Sequence, residues 1–129
     1  MSQESCAKCD FPPESVKYRW TIKNECREDI DLAVHYQNEF ARRSVGWWNL
    51  DKDESITFTS FNRHVAYYAK SDSHIWSADS ETGLPVFINI NRKFDYEFEE
   101  VPAGADITAY FRIKDYVNDS VTRVTCNNN

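Results

Sequence analysis

Val16-Lys17-Tyr18-Arg19-Trp20-Thr21-Ile22-Lys23 sets a large apolar side chain at every second position, with charged or polar residues between them. A period of two places the apolar set on one side of an extended strand and the polar set on the other. Ile30-Asp31-Leu32-Ala33-Val34-His35-Tyr36 repeats the pattern, and the short polar linker Asn24–Glu28 predicts that the two strands form a hairpin. Further strands are expected at 45–50, 55–61, 64–71, 74–78, 86–90, 93–99, 106–114 and 121–126. Turn-forming residues separate them at Asp51-Lys52-Asp53, Thr82-Gly83-Leu84-Pro85, Val101-Pro102-Ala103-Gly104 and Asn118-Asp119-Ser120. The spacing predicts an all-β fold, an antiparallel β-sandwich of about 8–10 strands. Each strand carries one polar side, so each sheet is expected to have one solvated face.

Composition agrees with this reading. Nine Val, eight Ile and seven Thr stand against three Leu, and 15% of the 129 residues are aromatic, a balance suited to pleated sheet. The chain is the size of one domain. Residues 1–15, with Pro12-Pro13 and no periodicity, are expected to form an irregular N-terminal arm. The sandwich would span 16–126, and Asn127–Asn129 would be a disordered tail. A net charge of −6 argues against nucleic acid as a partner. No apolar run approaches the ~18 residues of a transmembrane segment. With glycine only at positions 46, 83 and 104, no Gly-rich phosphate loop can be built.

The start Met1-Ser2-Gln3-Glu4-Ser5-Cys6 lacks the charged-then-apolar layout of a secretory leader. A cytoplasmic location is therefore expected if Met1 is native, and a periplasmic or secreted one if a leader has been removed. Free thiols are the default for the four cysteines in the first case. Two alternatives stand beside it. Cys6 and Cys9 form half of a zinc site or a redox pair, although no second close pair completes it. Cys26 and Cys126, at the ends of the first and last expected strands, would close a long loop as a disulfide.

The succession Trp20–Cys26, Ile30–Tyr36, Gly46-Trp47-Trp48-Asn49-Leu50, Tyr67-Tyr68-Ala69-Lys70 and Trp76 resembles the DUF1036 family, an uncharacterised bacterial group, over roughly residues 18–90. The resemblance implies an all-β domain and brings no established catalytic activity. The chain departs from that pattern at Glu54-Ser55 and ahead of Phe87, where the family carries cysteines. A broader likeness to small all-β proteins such as the aegerolysins implies lipid binding as an alternative.

The residues best suited to recognition are Trp47, Trp48, Tyr68 and Trp76. Adjacent strand residues face opposite ways, so one of Trp47 and Trp48 is expected in the core and the other in solvent, unless a loop or the arm covers both. Likewise one of Tyr67 and Tyr68 would face outward. An exposed indole would stack on a sugar or a partner's side chain. His35 falls on the polar side of its strand and is expected at the surface. Asp72-Ser73-His74 holds the residue types of a hydrolase triad, but neighbours in a strand or tight turn are not expected to converge on one another, so no triad is expected here. Asp51, Asp53 and Glu54 read as solvated loop charge. The expectation is a non-catalytic binding module with a protein partner, carbohydrate or lipid being the alternatives. No cofactor is expected, zinc being the exception.

Overall fold

In a computed structural model, the structure describes residues 17–38, 41–97, 107–114 and 120–126. The arm with Cys6 and Cys9, and the tail at 127–129, lie outside the described residues. Among those described there are ten strands and no helix: β1 (Tyr18–Asn24), β2 (Ile30–Gln37), β3 (Arg42–Leu50), β4 (Ser55–Ser60), β5 (Val65–Lys70), β6 (Ile75–Trp76), β7 (Leu84–Ile88), β8 (Phe94–Glu97), β9 (Ile107–Lys114) and β10 (Ser120–Val124). The fold is all-β and sandwich-like, and no helix is long and apolar enough to cross a membrane.

Two sheets of unequal size make the layers. The smaller has the order β10-β1-β4; the larger runs β7-β9-β5-β2-β3-β8, with β6 paired to β5. Pairing is antiparallel except between β1 and β10, which run parallel. The hairpin expected between β1 and β2 is not formed. β1 lies between β10 and β4, β2 lies between β3 and β5, and the linker crosses from one sheet to the other. Asn24 makes the crossing sound. Its side-chain amide donates to the carbonyls of Glu28 and Leu50, both at 2.9 Å, and its oxygen accepts the Cys26 N–H at 2.8 Å. The Cys26–Cys126 disulfide ties the same corner to the end of β10.

The larger sheet curls, which brings its first and last strands, β7 and β8, within side-chain reach of each other. The Tyr96 hydroxyl on β8 donates to the Phe87 carbonyl on β7 across the seam. Curling creates a second core. Trp20, Ile22, Leu32, Val34, Phe58, Tyr67 and Val124 pack between the sheets. Ala33, Ala66, Tyr68, Val86, Ile88, Phe94, Tyr96 and Phe111 fill the inside of the curl. Burying each of the larger side chains contributes about 1.5–3 kcal/mol. β2 and β5 are walls common to both cores, so neither has the solvated face expected of it, and Tyr67 and Tyr68 are both buried.

His35 is corrected for the same reason. Its side of β2 faces the inside of the curl, and the ring is fully buried. Arg42 Nε–H donates to His35 Nε2 at 3.2 Å, which puts the ring proton on Nδ1, 2.9 Å from Ser44 Oγ. Burial, and then the Arg42 charge, lower the imidazole pKa to about 4. An unfolded histidine titrates near ~6.5. Between these values the unfolded chain binds a proton that the folded one refuses, so stability falls as the pH drops through that window. We expect this group to cost roughly 2–3 kcal/mol on going from pH 7 to pH 4. Urea unfolding at both pH values measures it, and His35→Gln should remove that part of the slope.

Candidate binding site

The alternation of β3 breaks at Trp47. Leu32 faces Trp48 and the next residue, Ala33, faces Gly46, so Trp47 is the extra residue of a β-bulge. Gly46 is required beside it, because a Cβ there would lie 2.7 Å from the Phe94 ring and 3.0 Å from Ala33 Cβ. Trp47 and Trp48 still diverge, but neither stands free in solvent. Trp47 packs against the inner core and Trp48 against the core between the sheets, both half-buried.

The Trp47 indole is held on several sides. Its N–H donates to the Asn89 carbonyl at 2.8 Å. Phe94 meets it edge-on at 5.6 Å between centroids, and Tyr68 lies at 5.8 Å. Lys70 Nζ sits 5.0 Å from the ring centroid, in cation–π range, and pairs with Asp31 at 3.4 Å. Asn49 donates to Asp31 at 3.1 Å, which fixes both polar side chains beside the indole.

Clefts open on either side of Trp47. One, of about 380 Å³, is lined by Val45, Gly46, Trp48, Phe94 and Asp95. The other, of about 360 Å³, is lined by Asp31, Asn49, Lys70 and the Ile90–Lys93 loop. Lys93 borders both clefts, and Arg92 borders the second. Both cations are exposed, and neither has an ion-pair partner among the described residues. Asp95, by contrast, is engaged by Arg43 at 2.7 Å.

The four aromatic residues named from sequence do not form one platform. Tyr68 and Trp47 share the inner core; Trp48 and Trp76 belong to the other. Burial removes Tyr68 and Trp76 from any surface contact, each being 6% exposed. What remains accessible is the half-buried pair Trp47 and Trp48 and the polar neighbours of Trp47. Sequence reasoning passed over Lys70, Asp31, Asn49, Arg92 and Lys93, whose nearness depends on the bulge and on strand order.

A larger hollow of about 540 Å³ near Arg112 is less suited to a ligand. Arg112 Nε is spent on the Ser77 carbonyl at 2.8 Å, and Asp79 accepts the Glu81 and Thr82 N–H groups of its own turn.

Ser73 and His74 do meet, at 3.0 Å, in the turn between β5 and β6. Asp72 is not the third member; Glu28, from the crossing linker, is. Ser71 and Ser73 donate to its two oxygens, both at 2.6 Å. Those two hydroxyls hold the Glu28 carboxyl at a pKa of about 2, too weak a base to activate a serine. The acid binds Ser73 directly and reaches the imidazole only at 3.7 Å, on the same Nδ1 that Ser73 meets, so serine and acid do not take opposite ring nitrogens and the roles of a catalytic triad are not filled.

Fold and cleft together define an all-β, sandwich-like protein with a polar-rimmed indole at a strand bulge. Comparison with protein-family models, curated proteins and solved structures returns no match.

Proposed function

We propose that this protein is a non-catalytic recognition module that binds a protein partner through the clefts flanking Trp47. The reading rests on one observation: two cations with no ion-pair partner among the described residues, Arg92 and Lys93, line clefts that border a half-buried indole. An indole rim accepts an apolar side chain, and the cations beside it suit a carboxylate one or two residues away. The preferred ligand is therefore a segment with an apolar residue next to an acidic one. A disulfide-closed corner supports a periplasmic or secreted location.

Peptides selected from a displayed library on the wild-type protein should be enriched in that pattern. The charge reversal Arg92→Glu/Lys93→Glu should weaken them by at least about tenfold while leaving thermal unfolding unchanged. Equal binding to the reversed variant would overturn the proposal. A neutral glycan that binds regardless of the reversal would favour a carbohydrate reading, with Asp31 and Asn49 as hydroxyl partners beside the indole.

A further inference from the structure

The corner where the chain crosses between sheets gathers metal-ligating side chains that the Trp47 clefts do not use. Cys26 Sγ, a carboxylate oxygen of Glu28 and a ring nitrogen of His74 all lie within 4.8 Å of one another. Cys126 Sγ, bonded to Cys26, is a further sulfur at the same corner. Two sulfurs, one imidazole nitrogen and one carboxylate oxygen form a donor set suited to tetrahedral zinc. Ligand atoms around such an ion stand about 3.3–3.8 Å apart, given bonds of ~2.0–2.3 Å. The Cys26, Glu28 and His74 donors therefore need to draw in only modestly, while Cys126 Sγ has to part from Cys26 to become the fourth ligand.

The donors are also held from behind. Ser71 and Ser73 fix the Glu28 carboxylate, and the His74 ring stacks on Trp76 at 5.6 Å and 24°. Trp76 is anchored in turn by its N–H to the Thr125 carbonyl at 2.7 Å, one residue before Cys126. Such outer support is what orients ligands in metal sites. In the oxidised protein the two sulfurs are spent on each other, and a disulfide is a poor zinc ligand.

We propose that Cys26 and Cys126, once reduced, form a zinc site with Glu28 and His74, so that disulfide and metal are alternative closures of one corner. A dithiol reductant supplies two electrons and two protons. The S–S bond breaks, two thiols form, and the reductant becomes a disulfide. Zinc then binds the two sulfurs as thiolates and releases their protons to solvent. The ion takes over the cross-link between the crossing linker and the end of β10.

The test uses the full chain carrying Cys6→Ser and Cys9→Ser, so that no other thiols are present. The protein is reduced with a phosphine, freed of it without oxygen, and titrated with cobalt and then zinc. We expect one equivalent of cobalt with thiolate charge-transfer absorption, its displacement by zinc, and recovery of the thermal midpoint lost on reduction. His74→Ala and Glu28→Gln should each weaken binding by at least about tenfold. The oxidised protein should bind no metal at this corner. If reduction unfolds the chain, zinc should restore the β-sheet circular dichroism. Failure to take up metal, or uptake indifferent to both His74→Ala and Glu28→Gln, would overturn the proposal.

Discussion

Replacing Cys26 and Cys126 together by alanine should lower the unfolding free energy by about 4–5 kcal/mol. The two residues are 100 positions apart, and a cross-link over that span removes about 4.7 kcal/mol of loop-closure entropy from the unfolded chain. For a domain of this size the thermal midpoint should fall by roughly 15 °C. Calorimetry of oxidised wild type against the double variant measures the effect directly. A drop of only a few degrees would mean that β10 is held by its other contacts. These include its parallel pairing along Trp20–Asn24, the 2.8 Å bond from the Trp20 indole to Thr122, and the ion pair of Arg123 with Glu25.

Asn24→Ala should cost about 4 kcal/mol, a large effect for one side chain of modest size. Asn24 is fully buried, and its side chain serves three backbone groups: the Cys26 N–H and Glu28 carbonyl of the crossing, and the Leu50 carbonyl at the end of β3. Removing it strands the Cys26 N–H and the Glu28 and Leu50 carbonyls, and each buried unsatisfied group costs about 1–3 kcal/mol. Asn24→Asp is the informative control. An aspartate can still accept from Cys26 N–H but has no protons for the two carbonyls, so it should destabilise about as much as alanine. Denaturant unfolding of both variants tests this. A loss under about 1 kcal/mol for either would show that water replaces the amide at this corner.

The alternation of apolar and polar residues made the strands legible, and the expected and observed limits differ by a few residues at each end. Pairing was less legible. Sequential strands are usually neighbours, yet the linker between β1 and β2 carries two residues, Asn24 and Cys26, that end up without solvent exposure. An apparently polar connector with a buried amide is a crossing, and composition alone does not separate it from a turn. The second core left a clearer mark. Val65-Ala66-Tyr67-Tyr68-Ala69 is an unbroken apolar run, the signature of a strand covered on both faces. His35 misled because alternation reports which side of a strand is polar, and a polar side can look inward onto Ser44 and Arg42.

The candidate site was only partly legible. The aromatic weight of Gly46-Trp47-Trp48 marks the strand beside which the candidate clefts open. The bulge that sets Trp47 at the rim depends on a register shift opposite Leu32 and Ala33, which local pattern does not encode. No motif marks Arg92 and Lys93 in the sequence. Glu28 and His74 come from separate connections, and the strand order that unites them is a property of the whole chain.

The parallel partnership of β1 and β10 bears on how the molecule is made. During synthesis the first strand emerges long before its last neighbour, so Trp20 and Ile22 wait with one flank unprotected until residues 120–124 arrive. A nascent chain stalled earlier would present that flank to chaperones or to aggregation, and the closing step waits for residues 120–124.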